Sequence, residues 1–229
     1  MLLSLRIFNI KRNLKNKRVA IVGAANSIFE EQNGGLIDSY DIVIRINKAA
    51  QVWEKKKSVY LGTKFTYLFH SFYENDFSGG GEIDFRKFEN MGIEKLINPN
   101  YSRKGLRTHL NFYKRHLKIK RTYILAPKIS KSIEEKLQGY VPTVGFSAVI
   151  GVLMSDCKEI YITGFTFFKT PYAQGYRKEL TDLSKNNEHL KRQGIHNPDL
   201  EFEVFKKQLN LTSCNCIKMD ETLNTLIRL

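Results

Sequence analysis

One histidine stands where it could act on a substrate. In Ile195-His196-Asn197-Pro198-Asp199-Leu200-Glu201, Asn197 is a good helix N-cap and Pro198 suits the first helical position. Leu200, Val204, Phe205 and Leu209 then recur at helical spacing, so a helix is expected over residues 197–209. His196 therefore lies just ahead of a helix and outside its packed face. An imidazole held there can reach a ligand and titrate near neutral pH. The chain has five histidines, and a single one is more often structural or simply exposed. Glu201, one turn into the helix, is by itself a first-turn acid favoured by the helix dipole.

The other stretch with chemical potential is Gly23-Ala24-Ala25-Asn26-Ser27, small residues that follow the apolar run Arg18-Val19-Ala20-Ile21-Val22. A helix start built from small residues can bind phosphate through its backbone N–H groups. It is not a dinucleotide fingerprint, because Ala25 and Ile28 stand where glycines are required and Asn47, not an acid, ends the second strand. No GK[ST], Asp-x-Asp or HExxH pattern occurs, and Cys214 and Cys216 have no second pair, so no metal site is expected. A phosphate site without metal must draw its counter-charge from Arg/Lys, tyrosine hydroxyls, histidine or helix dipoles.

The elements that would position these residues are short apolar strands, several ending at glycine or a polar residue. They fall at 18–23, 41–47, 64–69, 93–97, 121–125, 159–164 and around 216–218. Helices are expected at 107–117, with Leu106, Leu110, Tyr113 and Leu117 on one face, at 129–138, over a buried run ending at Met154, and from Glu221. Residues 165–195 are polar, with aromatics of no clear period, and read as a lid or active-site loop. Strands alternating with helices predict an α/β class fold: a Rossmann-like, mainly parallel sheet flanked by helices. Ligands bind such sheets beyond the carboxyl ends of the strands. That brings together Gly23 to Ser27, Asn47, His70-Ser71, Thr143 to Gly145, and Gly164 onward.

The 229 residues suit one domain with a lid, and 42% hydrophobic content suits a globular protein. Three cysteines make no disulfide framework and fit a reducing compartment. The net charge of +14 is concentrated: residues 1–18 carry six Lys/Arg and no acid, and residues 102–136 carry eleven against Glu134 and Glu135. Such patches attract anionic lipid surfaces, nucleic acid or acidic glycans, or are simply solvated faces. Residues 1–17 read as a basic amphipathic segment ahead of an 18–229 domain. They are too short to span a membrane and suit either an interfacial anchor or a first helix docked on the domain.

Three blocks carry a family resemblance. Residues 18–23 lead to Ile37-Asp38-Ser39-Tyr40-Asp41-Ile42-Val43-Ile44-Arg45-Ile46-Asn47 and on through Leu61-Gly62-Thr63-Lys64; this resembles the large sialylmotif, with its ID-x-x-D-x-V-x-R-x-N core. Pro142-Thr143-Val144-Gly145-Phe146 through Cys157 to Phe165 resembles the small sialylmotif. His196-x4-Glu201 is similar to the very small one. Standing in the family's order across residues 18–201, they identify the chain with the sialyltransferases of glycosyltransferase family 29, with lid features similar to the bacterial family 42 enzymes.

The resemblance implies a single-domain GT-A-variant fold with a lid at about 165–195. It implies a CMP-sugar donor, a glycan or glycolipid acceptor, inversion at the anomeric carbon, and neither metal nor cofactor. His196 would be the general base, with Glu201 close enough to orient its imidazole. The donor would meet Gly23, Ala24, Asn26, Ser27, Asn47, Thr143, Val144, Gly145, Gly164 and Phe165. Ala24 departs from the asparagine usual there, and Asn26 is the candidate replacement. Thr170-Pro171-Tyr172-Ala173-Gln174-Gly175-Tyr176-Arg177 lacks the animal family's lid histidine, which turns attention to tyrosine hydroxyls. Tyr172 matches best, and Tyr176 is either a second hydroxyl or a packed lid aromatic. Cys157 has no partner in the first block. The location implied is cytoplasmic, with peripheral contact with an anionic inner membrane as its extension. The rival within the class is a CMP-Kdo transferase of lipopolysaccharide or capsule. The rivals outside it are a basic nucleic-acid-binding protein, for which no RNA-binding aromatic motif or helix-turn-helix is present, and an inactive nucleotide-binding relative.

Overall fold

Among the described residues eight strands pair side by side, all parallel, in the order β1-β6-β5-β4-β3-β2-β7-β8. They are β1 (Leu5–Phe8), β2 (Arg18–Val22), β3 (Ile42–Ile46), β4 (Tyr67–Phe69), β5 (Lys95–Asn98), β6 (Thr122–Leu125), β7 (Glu159–Thr163) and β8 (Ile217–Met219). The computed structural model describes residues 4–75, 79–116, 120–173, 176 and 194–228. The architecture is the Rossmann-like α/β sheet expected from the alternation of apolar runs and helices.

Both faces of the sheet are covered, which is why its central strands are almost wholly apolar rather than alternating, Arg45 of β3 being the buried exception. Val19 and Ile21 of β2 and Ile44 and Ile46 of β3 join one core with the helices Ile10–Leu14, Val144–Leu153 and Pro198–Leu211. Ala20, Val22 and Val43 point to the other face, where they meet Ile37 and Tyr40. Farther along that face Leu68 and Leu96 pack with Phe88 of Phe85–Asn90 and Phe112 of Arg103–Arg115.

Two expectations are corrected here. Residues 1–17, set by sequence ahead of the domain as an interfacial anchor or a docked first helix, belong to the domain where described: Leu5–Phe8 forms β1, which pairs with β6, and the helix Ile10–Leu14 is docked with Ile10 and Leu14 fully buried. The cations there alternate with core residues and face outward, which mimics an amphipathic anchor. The Arg103–Arg115 helix buries Thr108, His109 and Phe112, while Leu110 of the expected apolar face is exposed. His109 is buried because Thr122 of β6 lies 2.8 Å from its Nε2, so a polar residue occupies the core-facing stripe. Leu117 lies outside the described residues.

From β2 the chain steps outward through β3, β4, β5 and β6, then crosses back to β7 and β8 on the other side of β2. The connections part at β2 and β7, and a crevice opens between their carboxyl ends. The 38–47 block builds this region mostly from below. Asp38 accepts the Thr63 and Lys64 N–H groups at 2.8 and 2.9 Å. Asp41 accepts Arg18 N at 2.8 Å. Arg45, 2% exposed, stacks on Phe65 and donates to the carbonyls of Leu61 and Lys64. Burial pulls its pKa down to about 9. Asn47, the last residue of the block, is the one that turns upward into the crevice.

Candidate active site

A cavity of about 510 Å³ fills the crevice at the strand ends, a volume in the range of about 300–1,000 Å³ usual for ligand pockets. Its floor is the meeting of two glycines. A Cβ on Gly23 would stand 2.1 Å from Gly164 O, so only glycine lets the loops after β2 and β7 touch. Gly164 has φ +70, donates its N–H to Asp220 Oδ2 at 2.7 Å and accepts Ala25 N at 2.9 Å. Phe167 and Phe168 follow at φ 50 and 62, strained backbone of the kind held at ligand sites.

The loop 170–173 folds back over this floor. Ala25 pairs with Tyr172 as an isolated antiparallel bridge, Asn26 donates to Pro171 O and Ala173 donates to Ala24 O. Tyr172 and Tyr176 stack at 5.5 Å. Tyr176 is 5% exposed and donates its hydroxyl to Ile46 O at 3.0 Å, so it is a packed aromatic of the wall. The remainder of the expected lid, at 174–175 and 177–193, lies outside the described residues.

Gly23, Ala24, Asn47, Thr143, Val144, Gly145, Gly164, Phe165, Tyr172, Tyr176, His196 and Glu201 all line the cavity. Asn26 and Ser27 do not. The chain enters a short turn at Asn26–Phe29 that takes both beneath the loop, with Asn26 exposed outside and Ser27 buried. Asn26 therefore does not replace the missing asparagine at position 24.

Opposite the glycines, Thr143 caps the Val144–Leu153 helix, its Oγ1 accepting Phe146 N at 3.1 Å. The first two N–H groups, at Val144 and Gly145, have no partner inside the helix. Glu201 holds the cap in place: Thr143 N donates to Oε1 at 2.7 Å and Thr143 Oγ1 to Oε2 at 2.9 Å. The carboxyl is 1% exposed, and burial pushes its pKa up to about 8. This corrects the expectation that Glu201 orients the imidazole, since both of its oxygens are taken by Thr143.

His196 is oriented instead by the chain just before the cap. Its Nδ1 lies 2.6 Å from Val141 O, while Val141 N donates to Ile195 O at 2.8 Å. A carbonyl can only accept, so Nδ1 carries the proton and the Nε2 lone pair is the ring's proton acceptor. Three other histidines are structural. His70 and His109 are buried, with pKa values pulled down to about 4, and His116 sits on Glu74 at 2.8 Å.

The far wall comes from β3, β4 and β5. Asn47 has φ 47, a left-handed conformation asparagine tolerates, and its Oδ1 accepts Ser71 N at 3.1 Å. Asn98, 1% exposed, accepts Asn100 N at 3.0 Å, and Asn100 Oδ1 accepts Ser102 N at 2.8 Å. Sequence reasoning did not name Asn98, Asn100 or Lys104 as site residues. A polar residue closing an apolar strand was the available signal at Asn98. Among the described residues no three His, Cys, Asp or Glu side chains converge as metal ligands, and no helix is long and apolar enough to cross a membrane.

A family model described as glycosyltransferase family 29 (sialyltransferase) matches residues 4–211. No curated protein matches the chain. Among solved structures, a mammalian sialyltransferase in complex with Gal-beta-1-3GalNAc-ortho-nitrophenol is similar at TM-score 0.58 and 19% identity, over 92% of this chain and 71% of that one. A second crystal structure of a mammalian sialyltransferase gives the same values. A variant of the α-2,3/8-sialyltransferase CstII is similar at TM-score 0.47 and 19% identity, over 91% of this chain and 88% of that one.

Proposed function

The chain belongs to glycosyltransferase family 29, the sialyltransferases, and we propose that it moves sialic acid from a CMP-linked donor to a glycan hydroxyl, with inversion and without a metal. The observation that carries this reading is the 2.6 Å contact of His196 Nδ1 with Val141 O. With Nδ1–H held by Val141 O, Nε2 is the proton acceptor of a ring that lines the cavity. The acceptor hydroxyl gives its proton to Nε2 as its oxygen bonds to the anomeric carbon. The bond from that carbon to the phosphate oxygen breaks, and CMP leaves with the electron pair on the opposite side.

The chain supplies the rest by position. The N–H groups of Val144 and Gly145, at the positive end of a ten-residue helix, offset charge on the phosphate. Asn47 at the end of β3 offers an amide to the nucleotide. Glycines 23 and 164 let the donor approach the backbone. A metal-free reading is supported by the donor set: Glu201 is the carboxylate among the described lining residues, and Thr143 occupies it.

The test is direct. CMP should raise the Tm of the protein with EDTA present, and UDP should not. Wild type should turn over CMP-sialic acid with an acceptor, with loss of activity in His196→Ala. A protein indifferent to CMP, or a His196→Ala variant as active as wild type, would overturn the reading.

A further inference from the structure

A CMP-sialic acid donor brings a phosphate and a carboxylate into the cavity, yet among the described lining residues Lys104 is the one lysine or arginine, and the one carboxyl, Glu201, is taken by Thr143. We infer that Lys104 binds a carboxylate or phosphate of the substrate at the β5 end of the cavity. This rests on the donor class proposed above.

The wall around Lys104 is built to hold it there. After β5 each side-chain carbonyl takes the N–H two residues on, Asn98 to Asn100 and Asn100 to Ser102. Ser102 Oγ then caps Gly105 N at 3.2 Å and starts the Arg103–Arg115 helix. The buried Asn98 donates its amide to Gly105 O at 3.3 Å, which ties the first helical turn to the strand end. Gly105 is pressed on the turn so closely that a Cβ there would lie 2.1 Å from Asn100 O. Lys104 therefore projects from a fixed backbone, not from a loose surface loop.

Its charge has no internal use among the described residues. Among these the exposed Lys104 ammonium makes no ion pair or side-chain hydrogen bond, whereas Arg115, Lys120 and Lys131 of the same basic stretch meet Glu74, Glu89 and Glu135. The first turn of its helix contains no acid, and that end of the dipole disfavours a cation. A substrate anion supplies what the fold leaves out. The anion has two sources: the donor, which carries both groups, or an acidic acceptor glycan.

Lys104→Met and Lys104→Gln, compared with wild type, separate these. The measurements are Tm, the Tm shift by CMP, hydrolysis of CMP-sialic acid without acceptor, and transfer to lactose and to sialyllactose. Both variants should keep the Tm of wild type. A rise of about tenfold in donor KM for hydrolysis, with the CMP shift kept, assigns the donor carboxylate; if the CMP shift also falls, the phosphate. Unchanged hydrolysis with a tenfold rise in KM for sialyllactose alone assigns the acceptor. Values within twofold of wild type in every assay overturn the inference while leaving the proposed function intact. A wild type that turns over no CMP-sugar overturns both.

Discussion

Replacing Glu201 by glutamine tests the buried carboxyl that fastens the Val144–Leu153 helix. Burial raises its pKa from the ordinary 4.5 to about 8, and the two bonds from Thr143 pull it back only in part. A group whose folded pKa lies above its unfolded one binds more protons in the native state between the two values. Stability is then fully present below pH 4.5 and is lost as pH rises through about 8. At about 1.4 kcal/mol for each pH unit between the two values, the displacement amounts to roughly 5 kcal/mol. Glutamine keeps one acceptor for Thr143 N but cannot ionise, so the difference between the two proteins isolates Glu201. It loses the second bond, from Thr143 Oγ1, a constant offset of about 1 kcal/mol. Urea unfolding from about pH 5 to about pH 9 should show the wild type losing several kcal/mol relative to Glu201→Gln. Over the same range the ionised carboxylate would stand beside the helix N-terminus, so donor KM should rise in wild type and stay level in the variant. Parallel stability curves would refute the argument, because they would mean that Glu201 is already charged at pH 5 and tolerated as such.

Three further outcomes are expected. His196→Ala should lower kcat by about 10²–10⁴ while the Tm shift by CMP stays at the wild-type value, since the base of the proposed mechanism would touch the acceptor and not the nucleotide; loss of CMP binding would point to a donor contact instead. Gly23→Ala should destabilise by at least about 2 kcal/mol in denaturant, because its Cβ would meet Gly164 O at 2.1 Å and part the two loops. Arg45→Met should cost roughly 3 kcal/mol by leaving the carbonyls of Leu61 and Lys64 without their donor, with kcat of the folded fraction unchanged; a selective loss of kcat would place Arg45 in the chemistry.

The sequence by itself determined seven of the eight strands, because a parallel sheet covered on both faces demands short, mainly apolar runs, and such runs stand out between polar breaks. It also determined the capped helix behind His196, since Asn197-Pro198 acts within a few residues, and the glycine-ended strands that open the cavity. Contacts between distant segments were decided only by the tertiary structure. Nothing local says that Glu201 reaches Thr143, 58 residues away, rather than the histidine five positions before it. Nothing local says that Val141 O fixes the imidazole tautomer, that Asn26 turns beneath its loop, or that residues 5–14 close the far edge of the sheet beside β6. Side-chain direction follows from the neighbours each element packs against, and those are chosen by the crossover from β6 back to β7. Lys104 shows the same limit: in the sequence it is one cation among eleven between 102 and 136, and the fold alone sets it on the wall of the cavity.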